Sequence, residues 1–565
     1  MVGFMALFFN HEIHSQERLK SDSKEASKYL DPALVDFTSS NLPILIINSV
    51  NNVEITKEVK LDGTLKIVFD KTGDRNQLIG PFTDYNGKIG IKGRGSSSWD
   101  TFPKKGYGFE TRTAEGTNNN VSLLDMPEEN DWILHGPYAD KTLMKNAFVY
   151  QIGRDMGSYA PRTAFCELVL NDVYAGVYLL TEKVKRDKNR VDIANLNPEE
   201  ISGDDLTGGY ILSVDRVGDE YWSPLIDFNG GFSQYNYIYP DPTDGMPQAQ
   251  KNYIRNYVTD FEKALDNISL SDTVKGYRAY VNVPSFIDYF IINELTKNID
   301  AYRLSTYFSK DKDSNGGKLT MGPIWDHNFS CGGVNIGFGN WGATAENWIY
   351  QEYNGQPFWW QTFLNDTYYK SCVKKRWFEL RETIINDNNF SKIIDSLALV
   401  LDEAKDRNFQ IYPLGEPVWG NNHEGFTYNQ EIDTLKGYLK QRMKWMDSKI
   451  GSFPNANLCK ECFACESDDL ITNVSLTDLN DNQVQIFPNP FKDKISFKFD
   501  INHVSGIEIY IYDLAGTLAV FESFELSLPK TTHQISIGEN AKPGVYVYSI
   551  LNDGNVIKGG HLIKL

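Results

Sequence analysis

Strand patterns and helix patterns are segregated along this chain, and that separation limits the architectures it can adopt. Residues 43–190 carry runs with strand alternation, such as LPILIINS and VYAGVYLLTEKV, and one helical pattern, KTLMKNAFVYQIGRDMG. From 191 to 450 helical periodicity dominates, with one strand pair, STYFSKD and KLTMGPIWD. The order predicts an α+β fold with a twisted β-rich sheet at 41–190 and a mainly helical part at 191–450.

The C-terminal region has a third pattern. Short strand patterns at even spacing begin at Val484, among them DKISFKFD, GIEIYIYDLAG and GVYVYSIL, and they predict a small all-β sandwich over 484–565. The polar residues 451–483 indicate a linker, which holds three of the six cysteines in CKECFAC. Because no fourth Cys or His lies close enough to complete a tetrahedral zinc site, this cluster favours disulfide pairing in an exported protein.

The N-terminus and the overall charge bear on location and partners. Residues 1–40 begin with a short apolar core, Val2 to Phe9, without the basic residues that start a signal peptide, and they indicate a signal-like leader and linker. No run of about 18 apolar residues occurs, so we expect no transmembrane segment. With 56 Lys and Arg against 75 Asp and Glu, the net charge is −19, which repels a phosphate backbone. We therefore expect no nucleic-acid partner.

Two aspartates flank the predicted hairpin in the helical part. Asp300 follows an apolar helix pattern in ELTKNIDAYRLS, and Asp326 ends the strand pattern KLTMGPIWD. A hairpin returns its end close to its beginning, so the two carboxylates can face one cleft. One would then accept a hydroxyl proton while the other binds Mg²⁺. The alternative is that both are turn residues, and spacing alone does not decide.

A glycine- and serine-rich turn lies earlier, in KGRGSSSWDTFPKKGYGFE at residues 92–110. Backbone amides in such a turn can face a phosphate, and glycine allows a close approach. The segment lacks the P-loop pattern, so an ordinary turn remains open. Lys104 and Lys105 begin the next strand, where a lysine either holds phosphates or forms a solvated strand edge.

Other chemistries have weaker support. Neither H-E-x-x-H nor G-x-S-x-G occurs, so zincin and α/β-hydrolase sites lack a motif. KDKDSNGGKL matches only the first half of an EF-hand loop and predicts a hairpin turn. His327, next to Asp326, is either a site residue or a structural donor. The tryptophan-rich stretch at 341–360 either lines a sugar platform or packs in the core.

Several segments in order resemble the CotH family of atypical secreted protein kinases, over about residues 41–450. They are LPILIINS, KGRGSSSWDTFPKKGYGFE, LLDMPEENDWILHGPYADKTLMKNAF, LVLNDVYAGVYLLTEKVKR, GGYILSVDR, and NIDAYRLSTYF followed by KLTMGPIWDHNFSCG. The resemblance implies a kinase-like N-lobe at 41–190, a C-lobe at 191–450, and ATP between them. It implies that Asp300 orients and deprotonates the acceptor hydroxyl, and that Asp326 with Asn328 binds Mg²⁺ or Mn²⁺.

The same resemblance implies a set of nucleotide-binding residues. The Arg94–Ser97 turn would cover the phosphates, Lys105 would contact them with Lys104 as a close competitor, and the chain near Glu182 would hold the adenine through backbone groups. The implied nucleotide-binding residues are Arg94, Gly95, Ser96, Ser97, Lys105 and Glu182.

The chain also departs from the family pattern. Ser96 stands where an asparagine is expected, Asn328 where a second acid is expected, and Ser305 where ordinary kinases place a metal-binding asparagine. The helix that corresponds to αC offers no glutamate to pair with a strand lysine. The expected activity is Mg²⁺-dependent transfer of the γ-phosphoryl of ATP to protein Ser or Thr. The alternatives are a weak or inactive kinase-like surface module that binds glycan or protein and, less favoured, a carbohydrate hydrolase.

A second resemblance covers the C-terminal strands. IFPNPFKDKISFKF, IYIYDLAGTL, KPGVYVYSIL and GNVIKGGHLIKL are similar to the type A sorting domain of the type IX secretion system. This resemblance implies export across a bacterial outer membrane to the medium or the cell surface. It also implies the type IX machinery as a partner.

Overall fold

The computed structural model describes residues 31–32, 35–71, 75–225, 233–267, 269–332, 344–352, 355–415, 418 and 425–455, and then 484–487, 491–492, 494–499, 506–513, 518–525, 531–536, 544–552 and 555–564. The chain divides into two compact units, Met1–Phe463 and Ala464–Leu565. Residues 1–30 of the predicted leader at 1–40 and the cysteine cluster of the predicted linker lie outside the described residues. The predicted domain boundaries stay predictions.

A closed seven-stranded barrel forms the first part of Met1–Phe463. The strands of this part are β1 (Ser39–Ser40), β2 (Ile44–Ser49), β3 (Leu61–Val68), β4 (Asn76–Gln77), β5 (Tyr85–Arg94), β6 (Gly106–Arg112), β7 (Asp131–His135), β8 (Thr163–Leu170) and β9 (Val173–Glu182). The barrel order is β2-β3-β5-β6-β7-β9-β8, and β8 pairs parallel with β2 to close it. The prediction of a twisted sheet was therefore wrong. Alternation shows which residues are buried but not whether the outer strands meet.

Two helices accompany the barrel, α1 (Ser97–Thr101) and α2 (Lys145–Asp155). The periodicity predicted α2, whereas α1 lies in the segment predicted as a simple turn. Phe148, Val149 and Ile152 of α2 are buried in the same apolar core as the helices that follow the barrel. Helix α2 thus connects the barrel to the helical part.

A five-stranded antiparallel sheet lies within the helical part, where only one strand pair was predicted. Its strands are β10 (Tyr210–Asp215), β11 (Tyr221–Trp222), β12 (Gln234–Tyr239), β13 (Thr306–Lys310) and β14 (Leu319–Met321), in the order β11-β12-β10-β13-β14. The predicted hairpin β13–β14 is confirmed, with Phe308 opposite Met321. The other strands went unpredicted because they are short and buried and lack clear alternation.

Eight further α-helices lie in the described part of this unit. They are α3 (Gln248–Asn267), α4 (Val283–Thr296), α5 (Ile349–Glu352), α6 (Trp359–Phe363), α7 (Thr367–Thr383), α8 (Asp387–Leu401), α9 (Ala404–Ile411) and α10 (Tyr428–Gly451). Helix α4 starts at an Asn282 cap, whose Oδ1 accepts the Ser285 N–H at 3.3 Å, and ends where Lys297 turns left-handed. It is buried along most of its length and leads directly to Asp300.

Gly208 packs directly against the turn that follows β13. An added Cβ would lie 1.9 Å from Lys312 N and 2.1 Å from the Asp311 carbonyl carbon. Because backbone atoms cannot move aside cheaply, we expect Gly208→Ala to lower the free energy of unfolding by about 1–3 kcal/mol. Urea unfolding followed by tryptophan fluorescence measures this, since all 11 tryptophans lie within Met1–Phe463.

Gly108 in β6 provides the matched control. A Cβ added at Gly108 meets no atom within 4 Å, so Gly108→Ala is expected to keep or slightly raise stability. Equal unfolding midpoints for the two alanine variants would contradict the close approach at Gly208.

The second unit is all β, as predicted. Its strands are β15 (Val484–Phe487), β16 (Lys494–Phe499), β17 (Gly506–Asp513), β18 (Leu518–Glu525), β19 (Thr531–Ser536), β20 (Gly544–Asn552) and β21 (Asn555–Lys564). They form one sheet in the order β15-β16-β19 and another in the order β18-β17-β20-β21. Residues of both sheets, such as Phe497 and Ile509, share one apolar core, as in a sandwich. Within the described residues, no helix combines the length and the hydropathy that crossing a bilayer requires.

Candidate active site

The two predicted acids lie on segments that run side by side. The Asn298 side chain connects them, because its Nδ2 donates to the Asp326 carbonyl at 3.3 Å and its Oδ1 accepts the Asp300 N–H at 3.2 Å. The Ile299 N–H also donates to the Phe329 carbonyl at 3.2 Å. The two acid-bearing segments therefore lie next to each other, and the prediction that both carboxylates face one cleft stays a prediction.

The charges around these acids are strongly coupled. Burial and, to a smaller extent, the Asp300 carboxylate raise the pKa of Asp326 to about 7, although the Arg94 guanidinium opposes both effects. Burial also raises the pKa of Asp300, while Arg303, whose Nη2 lies 2.9 Å from Asp300 Oδ1, and Arg216 lower it. The site thus combines two half-buried carboxylates with three arginines.

A third carboxylate, Asp215, belongs to the same group and was missed from the sequence. It ends β10, where its Oδ1 accepts the Arg216 N–H at 2.8 Å and its Oδ2 accepts the Ser305 N–H at 3.2 Å. Burial raises the pKa of Asp215, and the Asp300 carboxylate contributes to that rise. The only sequence signal was the segment GGYILSVDR, which the family resemblance included without assigning it a role.

A cleft with a cavity volume of about 100 Å³, open to solvent at its mouth, lies between the barrel and the Asp326 segment. Residues from both sides line it, among them Arg94, Gly95, Lys104, Thr181, Asp326 and Asn328. Several sequence-predicted residues are therefore brought to one cavity, whereas Asp300 is not among the residues that line it.

The start of the glycine turn is fixed at the cleft by contacts. Gly95 has φ +121°, and an added Cβ would lie 2.6 Å from Ser98 Oγ. The Arg94 guanidinium lies over the Trp325 ring at 5.6 Å, and Trp325 stacks on Tyr150 with ring centroids 6.0 Å apart. This packing holds a positive charge beside Asp326.

The serines of this turn have different positions. Ser96 is exposed and Ser97 begins α1, and neither lines the cleft. Ser98, which the sequence interpretation did not select, does line it. Roles for Ser96 and Ser97 over phosphates remain predictions.

The lysine that lines the cleft is Lys104 rather than Lys105. Lys104 is buried, its Nζ donates to the Val177 carbonyl at 2.5 Å and to Asn408 Oδ1 at 2.7 Å, and burial holds its pKa well below the usual range. Lys105 Nζ instead donates to the Trp99 carbonyl at 2.5 Å. Consecutive residues point in opposite directions, so the sequence alone left the choice open.

Glu182 ends β9 with a fully buried side chain. Its carboxylate accepts the Arg162 N–H at 2.9 Å and pairs with Arg162 Nη1 at 3.0 Å, and Tyr159 Oη donates to it at 3.2 Å. Its neighbour Thr181 lines the cleft, whereas Glu182 does not. The side chain is structural, and the predicted adenine contact through nearby backbone groups remains a prediction.

Asn328 and His327 flank the cleft in different ways. Asn328 lines it, and its Oδ1 accepts the Phe329 N–H at 3.0 Å, which leaves a second lone pair. His327 is buried, its Nδ1 lies 3.2 Å from Thr296 Oγ1, and burial lowers its pKa to about 3. His327 is therefore a neutral structural residue.

The donor chemistry around Asp326 suits one hard cation. Among the described residues, no group of three or more His, Cys, Asp or Glu side chains could hold a metal ion. Mg²⁺ needs fewer protein ligands than such a group provides, because it commonly binds one or two protein oxygens together with phosphate oxygens and water. The Asp326 carboxylate and the Asn328 amide oxygen fit that requirement.

His135, in the lining of the cleft, gives a pH prediction. Burial lowers its pKa to about 4, so the folded protein favours the neutral ring. The neutral ring contributes fully to the free energy of unfolding above pH 6.5. This contribution is lost as pH falls from 6.5 toward 4, by up to about 1.4 kcal/mol per pH unit. We expect His135→Asn to show a flatter decline of urea-unfolding free energy over this range, measured by tryptophan fluorescence. Equal slopes would contradict the prediction.

Two family models match the chain in separate regions. The family model described as CotH kinase protein matches residues 91–446, and the model described as secretion system C-terminal sorting domain matches residues 485–564. No curated protein sequence matches significantly. The sorting domain marks the chain for export by the type IX secretion system, to the medium or the cell surface.

Two solved structures show distant similarity. One is the Helicobacter pylori proinflammatory kinase CtkA, with 9% identity, 60% of this chain and 94% of that chain covered, and a TM-score of 0.23. The other is the Pseudomonas fluorescens alkylpurine DNA glycosylase AlkC bound to DNA containing an abasic site analog, with 11% identity, coverage of 36% and 72%, and a TM-score of 0.11. At these scores neither similarity carries an argument. The family match, which spans more than half of the sequence, shows that this chain belongs to the CotH kinase protein family.

Proposed function

We propose that this protein is an exported kinase that transfers the γ-phosphoryl group of ATP to Ser or Thr hydroxyls of a protein acceptor, with Mg²⁺ or Mn²⁺. The barrel with α2 serves as the N-lobe and residues 191–450 serve as the C-lobe. One observation carries the proposal. Asp300 and Asp326 lie on adjacent segments, and Asp326 lines a cleft beneath the Arg94–Gly95 turn.

Asp300 acts as the proton acceptor. In the transfer step the acceptor oxygen forms a bond to the γ-phosphorus, the bond from that phosphorus to the bridging oxygen breaks, and ADP leaves with the electron pair. The hydroxyl proton moves to the Asp300 carboxylate. Its raised pKa makes it a better base than an exposed aspartate, and its contact with Arg303 keeps it ionised and oriented.

Asp326 and Asn328 hold the divalent ion, which when bound neutralises charge on the phosphate oxygens. Arg94 adds a second positive charge from the barrel side of the cleft, and its packing on Trp325 fixes its place. The Lys104 Nζ is already hydrogen-bonded to Val177 and Asn408, so Arg94 rather than this lysine supplies the positive charge for the phosphates. Positioning and charge neutralisation account for most of the rate in such a site.

The test is transfer of label from γ-labelled ATP by the purified full chain, with Mg²⁺ or Mn²⁺ and a mixed protein acceptor. We expect labelled Ser or Thr, dependence on the divalent ion, and no labelling with α-labelled ATP. Absence of transfer with both ions would contradict the proposal.

A catalytically weak module that binds protein is the second candidate. Two observations favour it: α2 carries no glutamate, and Ser305 stands in place of a metal-binding asparagine. A glycan platform has less support, because Trp348, Trp359 and Trp360 are buried in the core. Thermal-shift titration distinguishes the candidates, since a kinase site requires stabilisation by ATP with Mg²⁺, and a module without a nucleotide site shows none.

A further inference from the structure

Asp215 bridges two strands next to the loop that carries Asp300. Strand β10 pairs antiparallel with β13, with Val214 opposite Thr306, so Asp215 lies beside Ser305. The Asp215 Oδ2 accepts the Ser305 N–H at 3.2 Å, and Oδ1 accepts the N–H of its own neighbour Arg216 at 2.8 Å. One half-buried carboxylate thus joins the end of β10 to the end of the loop.

The loop from Asp300 to Ser305 has a strained backbone. Tyr302 has φ 71° and Ser305 has φ 50°, both in the left-handed region that favours glycine. The Leu304 N–H donates to the Asp300 carbonyl at 3.0 Å, which closes the loop. Such a conformation persists only where surrounding contacts hold it, and the Asp215 bond to Ser305 is one of them.

The location of Asp215 is electrostatically unfavourable. Burial disfavours its charge most strongly, and the Asp300 carboxylate adds a smaller repulsion. The Arg216 and Ser305 N–H groups and the Arg216 guanidinium oppose these effects. The two N–H bonds are therefore what favours a carboxylate at this position.

We propose that Asp215 is a positioning residue for Asp300: by holding the Ser305 N–H it fixes the strained loop that begins at Asp300 and so sets the direction of the Asp300 carboxylate. The inference rests on the proposed function, because it takes Asp300 as the proton acceptor. Asp215 does not touch the reacting atoms and acts through the loop.

Four variants separate positioning from packing. Asp215→Ala removes both acceptor oxygens, and we expect its kcat for phosphoryl transfer to fall about 10- to 100-fold, with the KM for ATP little changed. Asp215→Asn keeps one oxygen that can accept the Ser305 N–H, so its kcat should fall less than that of Asp215→Ala. Glycine at position 305 relieves the left-handed strain, so a loop with Ser305→Gly should depend less on Asp215. The fall in kcat from Ser305→Gly to the Asp215→Ala/Ser305→Gly double variant should therefore be smaller than the fall from wild type to Asp215→Ala.

Asp272 provides the matched control. Its exposed carboxylate accepts the Val274 and Lys275 N–H groups at 2.8 Å each, so Asp272→Ala breaks the same kind of contact at a turn outside the site. We expect Asp272→Ala to transfer phosphate at the wild-type rate. Equal kcat values for Asp215→Ala and wild type, or no relief from Ser305→Gly, would overturn the inference.

Hydrogen exchange of the 300–306 amides gives a readout that needs no activity. Asp215→Ala should raise exchange in this loop, and Asp272→Ala should not. If wild type transfers no phosphate, the proposed function fails, and the exchange data alone decide the positioning claim. Unchanged exchange in Asp215→Ala would then overturn it.

Discussion

Replacing Asp300 with Asn is expected to lower the rate of phosphoryl transfer by about 10²- to 10⁴-fold, the usual contribution of a positioned general base. The amide keeps the size of the carboxylate but cannot accept the hydroxyl proton. Because burial already disfavours the charged form of Asp300, the neutral amide should not destabilise the fold. The measurement is the single-turnover rate of label transfer from ATP, with the unfolding midpoint recorded in parallel.

Asp313 provides the control for this experiment. It lies at the tip of the β13–β14 hairpin, where it pairs with Lys310 at 2.8 Å and is mostly exposed. Asp313→Asn removes a carboxylate from the same hairpin and should keep the wild-type transfer rate. A normal rate in Asp300→Asn would remove Asp300 from the mechanism, and an equal loss in both variants would point to a general effect on the hairpin.

The acid pair could be predicted because its geometry is local. A hairpin of strand patterns between Asp300 and Asp326 requires its two ends to meet, whatever surrounds it. The structure adds what no pattern carries: the Asn298 side chain that joins the two segments, and the arginines that balance their charge. These contacts form only after the whole domain has folded, so the sequence pattern around the two acids could not predict them.

Features that depend on distant contacts could not be predicted. The barrel closes through the parallel pairing of β2 with β8, which lie more than 100 residues apart. The choice between Lys104 and Lys105 depends on the contacts that each Nζ finds in the folded chain, with Val177 and Asn408 for Lys104 and with Trp99 for Lys105, since both side chains have the same chemistry. Asp215 reaches the site only because β10 pairs with β13 across a long connection. The position of an aspartate at the end of one strand does not indicate which strand pairs with it.

The buried ion pair between Glu294 and Arg442 fixes the helix that leads to Asp300. Both side chains are fully buried, with Arg442 Nη2 3.1 Å from Glu294 Oε2 and Arg442 Nε donating to the Glu294 carbonyl at 2.7 Å. Arg442 Nη1 also donates to the carbonyls of Ala345 and Asn347 at 2.9 and 2.6 Å. Arg442 therefore joins α10 to α4 and to the segment before α5.

We expect Arg442→Met to lower the free energy of unfolding by about 3–5 kcal/mol, because it leaves a buried carboxylate without its cation. Urea unfolding followed by tryptophan fluorescence gives the value. Lys436→Met is the matched control on the same helix. The Lys436 partner, Asp395, is largely exposed, so this loss should be at most about 1 kcal/mol.

The pH dependence identifies the cause of that loss. Burial raises the pKa of Glu294 to about 7 even with Arg442 present, and removing the cation raises it further. A carboxyl group whose pKa is higher in the folded state stabilises the fold at low pH, and this stabilisation is lost as pH rises above the unfolded pKa near 4.5. We therefore expect Arg442→Met to lower the free energy of unfolding more at pH 8 than at pH 5. Adding Glu294→Gln removes the stranded charge and should restore part of the stability at pH 8. If the double variant is no more stable than Arg442→Met at that pH, lost packing rather than an unpaired carboxylate explains the effect.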